Sequence, residues 1–298
     1  MQTLSHDAVL NFLVRESYTP FDLFSLSKPL LILSGGTLSC DDSILEKPYS
    51  DANKSELIGF HYSSKHRKVV KGICLVTLFY TDIQGHRLPV NYRIYQQKSG
   101  KTKNELFAEM LEEVLGWGLK PKVVTGDSWY ASVFNLKMCR KYGLDALFAV
   151  EKDRLISTQK GQYEPVGEAD TCTRGFLTHL RGFDWVTVFR KEEAHQKRHY
   201  IYYSHVQNAQ QEPKKASWED FQVAHKNHWN IEEYHRAIKQ LCNIQNFLVR
   251  RTNAVKNHIF AALRAFITLE EKVIKQVITN WYPFRENLLA CFLKQNLT

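Results

Sequence analysis

Four apolar stretches rich in β-branched and aromatic residues, LLILSGGTLSC, GICLVTLFYTD, LPVNYRIYQ and VVTGD, succeed one another with a single long helical pattern among them. Stretches of this kind read as strands. The helical pattern, NELFAEMLEEVLGWG, repeats apolar residues every three or four positions and closes at Gly116 and Gly118. Beyond Asp127, SVFNLKMCRKYG reads as a helix ended by Gly143 and DALFAVEK as a further strand. Strands first, then alternating β and α, predict an α/β fold with a mixed sheet flanked by helices.

The remainder divides by its period. Residues 4–16 and about 20–28 read as two short helices, so 1–30 stands apart from a core beginning at 31 and running to 151. From 152 to 217, short β-like stretches (FLTHL, DWVTVFRK, RHYIYYSHV) alternate with polar turns and end in QNAQQEPKKAS, which predicts an inserted β-rich subdomain. Its polar ends suggest a segment whose removal costs more in ligand handling than in folding. From 218 to 298 helical spacing returns, and this part is expected to be mainly helical.

With 298 residues, 44% hydrophobic and 24% charged, the chain can bury a large core and is not disordered. Lys and Arg total 40 against 31 Asp and Glu, and the net charge of +9 favours a polyanionic partner. No apolar run reaches the roughly 18 to 20 residues of a membrane span, so a soluble intracellular protein is expected. Six dispersed cysteines without a C-x-x-C pair read as buried thiols in a reducing compartment.

Chemistry gathers at three places. Asp41 and Asp42 follow the first apolar stretch, Asp127 follows VVTG, and HKNHWNIEEYHRAIKQ carries His225, His228, Glu232, His235 and Lys239. At 100° per residue those five share an arc of roughly 80°, opposite Ile231, Tyr234, Ile238 and Leu241. Carboxylates at strand ends suit a hard divalent cation such as Mg²⁺. A turn residue and a solvated helix face are the plain alternatives. Imidazoles also suit Zn²⁺, but His235 lies about 10 Å along the axis from His228, too far to share one ion with it.

These same residues carry a resemblance. The run CDDSILEKPYSDANKSELIGFHYSSKHRKVVKG, then TGDSWYAS, then HWNIEEYHRAIKQ with NFLVRRTNAVKNHIFAALRAF, resembles the DDE transposases of bacterial insertion sequences, closest to the hairpin-type cut-and-paste branch. The likeness runs from about residue 4 to about residue 275. It implies an RNase H-like catalytic core, two Mg²⁺ ions with Mn²⁺ able to substitute, and cleavage and strand transfer on double-stranded DNA with terminal inverted repeats. A homodimer on the DNA ends and a bacterial cytoplasmic, nucleoid-associated location are implied as well. The family's D-x-[ST] pattern falls on Asp41 and Ser43, its second aspartate on Asp127 and the glutamate of its W-x-I-E pattern on Glu232. Its phosphate-binding lysine falls on Lys239. The tyrosine and arginine that usually precede the glutamate are here His225 and His228, histidines that could hold phosphate with a grip tightening below about pH 6.5. Arg236 and Trp129 complete the expected DNA contacts, Trp129 or Tyr130 by stacking on an unpaired base. Most of the family's N-terminal helical DNA-binding region is missing from the pattern, which implies a truncated copy and leaves a catalytically inactive DNA-binding derivative as the second reading.

A geometric expectation follows. Asp41, Asp127 and Glu232 must converge for two-metal chemistry. Strand alternation sends Asp41 and Asp42 to opposite faces, with Asp41 the inward one and Asp42 its only substitute.

Overall fold

The computed structural model describes residues 6–51, 55–63, 66–159, 161–169, 173–193, 196–205 and 213–284. Two helices come first, α1 (His6–Arg15) and α2 (Pro20–Ser27). Thr19 starts α2 with a capping box: its hydroxyl accepts from the Asp22 amide, Asp22 accepts from the Thr19 amide at 2.7 Å, and Pro20 supplies the fixed first turn. The strands β1 (Thr37–Glu46), β2 (Gly59–Ser63), β3 (Lys68–Thr81) and β4 (Arg87–Tyr95) follow. The first strand begins later than its apolar approach suggests. Leu30 closes a 3-10 turn, and the Ile32 amide donates to the Asp82 carboxylate at 2.9 Å while its carbonyl accepts from the Tyr80 hydroxyl at 3.1 Å. Side chains thus take backbone groups that a ladder would have used. The consequence is that Asp41 and Asp42 lie in the middle of β1, not after its end as the sequence suggested.

Next come α3 (Lys103–Gly116), β5 (Val123–Gly126), α4 (Val133–Lys141) and β6 (Asp145–Val150). β3 runs antiparallel to both β1 and β4, while β5 lies parallel to β1 and β6 parallel to β5. The order β4-β3-β1-β5-β6 is the RNase H-like mixed sheet that was expected. β2 adds to β3 through residues 68–72.

The β-rich segment forms β7 (Leu155–Ser157), β8 (Glu164–Pro165), β9 (Phe176–Leu180), β10 (Trp185–Glu193) and β11 (Gln196–Tyr203). It is strand-rich as expected, yet it continues the core sheet: β11 pairs antiparallel with β6, and β10, β9, β7 and β8 extend outward from it. Most of its polar closing linker lies outside the described residues. Two long helices end the fold, α5 (Trp218–Gln240) and α6 (Thr252–Ile274).

Alternation along β1 and β3 divides the core between two faces. Leu38, Cys40, Val76, Leu78 and Tyr80 pack with Phe107 and Leu111 of α3 and Leu136 of α4. Leu45, Leu75 and Phe79 pack with Ile231, Tyr234 and Ile238 of α5 and Phe266 of α6. The apolar half of α5 seen in the sequence is therefore its sheet-facing half. Cys40, Cys74 and Cys139 are buried free thiols and Cys242 is partly exposed, while Cys172 and Cys291 lie outside the described residues.

Candidate active site

On β1, Asp41 shares its face with Leu45 and points toward α5, whereas Asp42 shares the face of Cys40 and points toward α3. Asp42 is occupied. Lys103 Nζ, at the start of α3, donates to both its oxygens at 2.8 Å, and the buried Tyr130 hydroxyl donates to Oδ1 at 3.2 Å. Asp41 takes its own strand's Asp42 amide at 2.7 Å and turns its other oxygen to His235 Nδ1, 3.3 Å away.

Cys40 pairs with Gly126 in the parallel register of β1 and β5, so Asp41 and Asp127 are the next residues of two strands about 4.8 Å apart. Asp127 then caps the short turn Ser128–Tyr130, accepting from the Trp129 amide at 2.9 Å. Glu232 comes from α5, which packs across β1, and one carboxylate oxygen of Glu232 lies within 4.8 Å of ligand atoms of Asp41 and His235.

Asp41, Asp42, Asp127, Trp129, Glu232, His235, Arg236 and Lys239 all line one cleft of about 600 Å³. Three acids separated by tens to hundreds of residues thus line one cleft, with Asp127 not among the three clustered ligands Asp41, Glu232 and His235.

The carboxylates of that cleft resist ionisation. Burial pushes Asp41 up to about 7, with the Asp42 charge adding to it, and burial followed by the Asp41 and Asp42 charges pushes Asp127 to about 7 as well. Glu232 is raised too, by desolvation first and Asp41 second. Carboxylates that resist ionisation beside one another are what a divalent cation would relieve, and an oxygen-rich set suits such an ion.

Two expected DNA contacts lie elsewhere. His225 packs on Phe221 and Tyr200 with Nε2 3.3 Å from the Tyr200 hydroxyl, and His228 Nδ1 sits 3.1 Å from the Thr125 hydroxyl of β5. Neither lines the cleft. Desolvation drives His228 down to about 4, so it stays neutral near pH 7. The reason is the helix's position: the same arc that looked solvent-facing is split, with its N-terminal part against the sheet and its C-terminal part over the cleft.

Trp129 is 62% exposed on the cleft with Lys103 Nζ 5.3 Å from its ring centroid, while Tyr130 is buried and donates to Asp42. The sequence did not single out Lys103, because its partner is 61 residues away. It put His235 on the arc of Glu232 but gave it no role. Phe60 and Tyr62 of β2, both exposed on the cleft, carried no signal beyond their strand pattern.

An RNase H-like sheet bearing acids on β1, after β5 and on α5 is a catalytic fold of nucleic-acid enzymes. The chain belongs to the transposase DDE domain family, whose model matches residues 41–267. Among solved structures, the chain is similar to piggyBac transposase in a cryo-EM synaptic complex with hairpin DNA, at 14% identity and TM-score 0.49, over 89% of this chain and 54% of that one. A second likeness is to the Drosophila P element transposase in its strand transfer complex, at 10% identity and TM-score 0.21, over 91% and 65% of the two chains. The chain spans about half the length of the piggyBac chain. No curated protein matches it in sequence.

Proposed function

We propose that the protein is a transposase that cleaves DNA at the ends of a mobile element and joins those ends to a target, with Asp41, Asp127 and Glu232 as its metal-holding carboxylates. The observation that carries this reading is the shared cleft of three acids from distant parts of the chain, each held above its ordinary pKa by burial first and by a neighbouring aspartate charge second. Divalent ions bound there, Mg²⁺ with Mn²⁺ as substitute, would supply Lewis-acid activation of the attacking oxygen and charge neutralisation of the leaving one. Asp42 is paired with Lys103 on one face of β1, and strand alternation turns Asp41 to the other, toward α5. Lys239 and Arg236 offer cationic heads to DNA phosphates at the cleft, and Trp129 offers an aromatic face to an unpaired base. The DNA is double-stranded with terminal inverted repeats, held by a homodimer in the cytoplasm of a bacterium, at its nucleoid. No described helix is long and apolar enough to cross a membrane.

The test is end cleavage and strand transfer on DNA carrying the element's termini, with Mg²⁺, Mn²⁺ or EDTA. Wild type should cut and join; Asp41→Asn, Asp127→Asn and Glu232→Gln should bind ends without cutting them. Wild-type binding without cleavage would favour the catalytically inactive derivative, and cutting without joining of a pre-cut end would indicate a nuclease outside transposition.

A further inference from the structure

His235 lies three residues past Glu232, so the two side chains leave α5 on the same face, one turn apart. The imidazole is only 6% exposed, yet it lines the cleft of Asp41 and Glu232. Its Nδ1 is 3.3 Å from Asp41 Oδ2, and atoms of Asp41, Glu232 and His235 able to bind a metal all lie within 4.8 Å of one another. A charge-assisted N–H···O bond would sit closer, at about 2.7 to 2.9 Å. Two neighbouring ligands on one ion, each bonded at roughly 2.1 Å, are separated by about 3.0 to 3.4 Å. The other ring nitrogen, Nε2, is buried with no hydrogen-bond partner among the described residues.

We infer that His235 is a nitrogen ligand of the divalent ion held by Asp41 and Glu232, giving that site two carboxylates and one imidazole. The inference rests on the proposed carboxylate site and narrows its metal. Imidazole bonds poorly to Mg²⁺ and better to first-row transition ions, so the site favours Mn²⁺ over Mg²⁺. His61 is the internal comparison: it too is 6% exposed, lines the cleft and leaves Nε2 unpartnered, but it is not among the three clustered ligands.

The test uses the full chain without DNA and Mn²⁺ as the probe. Pulsed EPR of the wild-type Mn²⁺ complex should show the ¹⁴N coupling of a directly bound imidazole. His61→Gln should keep that coupling and His235→Gln should lose it. By titration, His235→Gln should weaken Mn²⁺ at least tenfold and Mg²⁺ less than threefold. A wild-type Mn²⁺ complex without ¹⁴N coupling overturns the inference and needs no variant to fold; so does coupling that survives in His235→Gln. Failure of the underlying site looks different: wild type would bind no Mn²⁺, or Asp41→Asn would bind it as well as wild type.

Discussion

Asp41 and Asp127 make the stability of the metal-free protein depend on pH. Each has a folded pKa of about 7 against an ordinary aspartate value of 3.8, so between those limits the native state holds protons that the unfolded chain has released. Their contribution therefore falls as pH rises from about 4 to about 7, and the ionised pair destabilises the fold above that range. Asp127→Asn should raise the metal-free Tm at pH 8 by about 3 °C or more and by almost nothing at pH 4, and saturating Mn²⁺ should erase the advantage by stabilising wild type alone. Equal gains at both pH values would remove the charge argument. His228 works in the opposite sense. With its pKa pushed down to about 4, it adds stability as pH rises through the interval from there to about 6.5, and it presents no new charge to DNA near neutrality. End binding should thus lack the share of the tightening step near pH 6.5 that the sequence suggested for His228. His228→Ala should cost about 0.5 to 1.5 kcal/mol of stability through its lost hydrogen bond with the Thr125 hydroxyl, which keeps its bond to Ser39, and leave the salt dependence of DNA binding unchanged. Lys239→Ala should do the reverse, flattening that dependence by about one unit of slope, read from titrations at several salt concentrations.

Glu232 is only as well placed as α5 itself. One side of the helix is fixed by packing: Tyr234 stacks on Phe79 of β3 with centroids 4.8 Å apart and meets Phe266 of α6 edge-on at 5.0 Å. The other anchor is ionic. Arg87 at the start of β4 donates to Glu233 at 2.5 Å, to Asn230 at 2.9 Å and to Glu270 of α6 at 3.2 Å. Glu270 is 3% exposed, and burial raises it to about 7 even though Arg87 opposes the shift. Removing the cation leaves an acid in the core with no charge partner in this network, a loss of about 3 to 5 kcal/mol. Arg87→Met should therefore lower stability strongly at pH 8 and less at pH 5, where Glu270 takes a proton, and adding Glu270→Gln should recover much of the loss. Denaturant melts at both pH values would read this directly. Because Glu233 adjoins Glu232, Arg87→Met should also reduce cleavage.

At the scale of the whole molecule, the β-rich segment shares the core it was expected merely to adorn. Ile156, Val166, Leu180, Val186, Val188 and Ile201 are buried in the same cluster as Val124 and Phe148 of the central strands. Burial of such side chains contributes about 1.5 to 3 kcal/mol each, and six together rival the 5 to 15 kcal/mol that holds a typical domain folded. Deleting 152–217 should abolish cooperative unfolding, not just DNA handling; a deletion protein with a sharp melt would show the segment to be independent. The sequence by itself determined the strand and helix types, the two faces of α5 and the three acids, because each is written in local period or in a short ordered motif. The tertiary structure decided what depends on distant partners. Asp82 and Tyr80 claim Ile32 and move β1 onward, β11 finds the free edge of β6, and Lys103 fixes which face of β1 is neutralised. It also divided one helical arc, sending His228 to Thr125 and His235 to Asp41, because a straight helix crossing a twisted sheet meets different neighbours along its length.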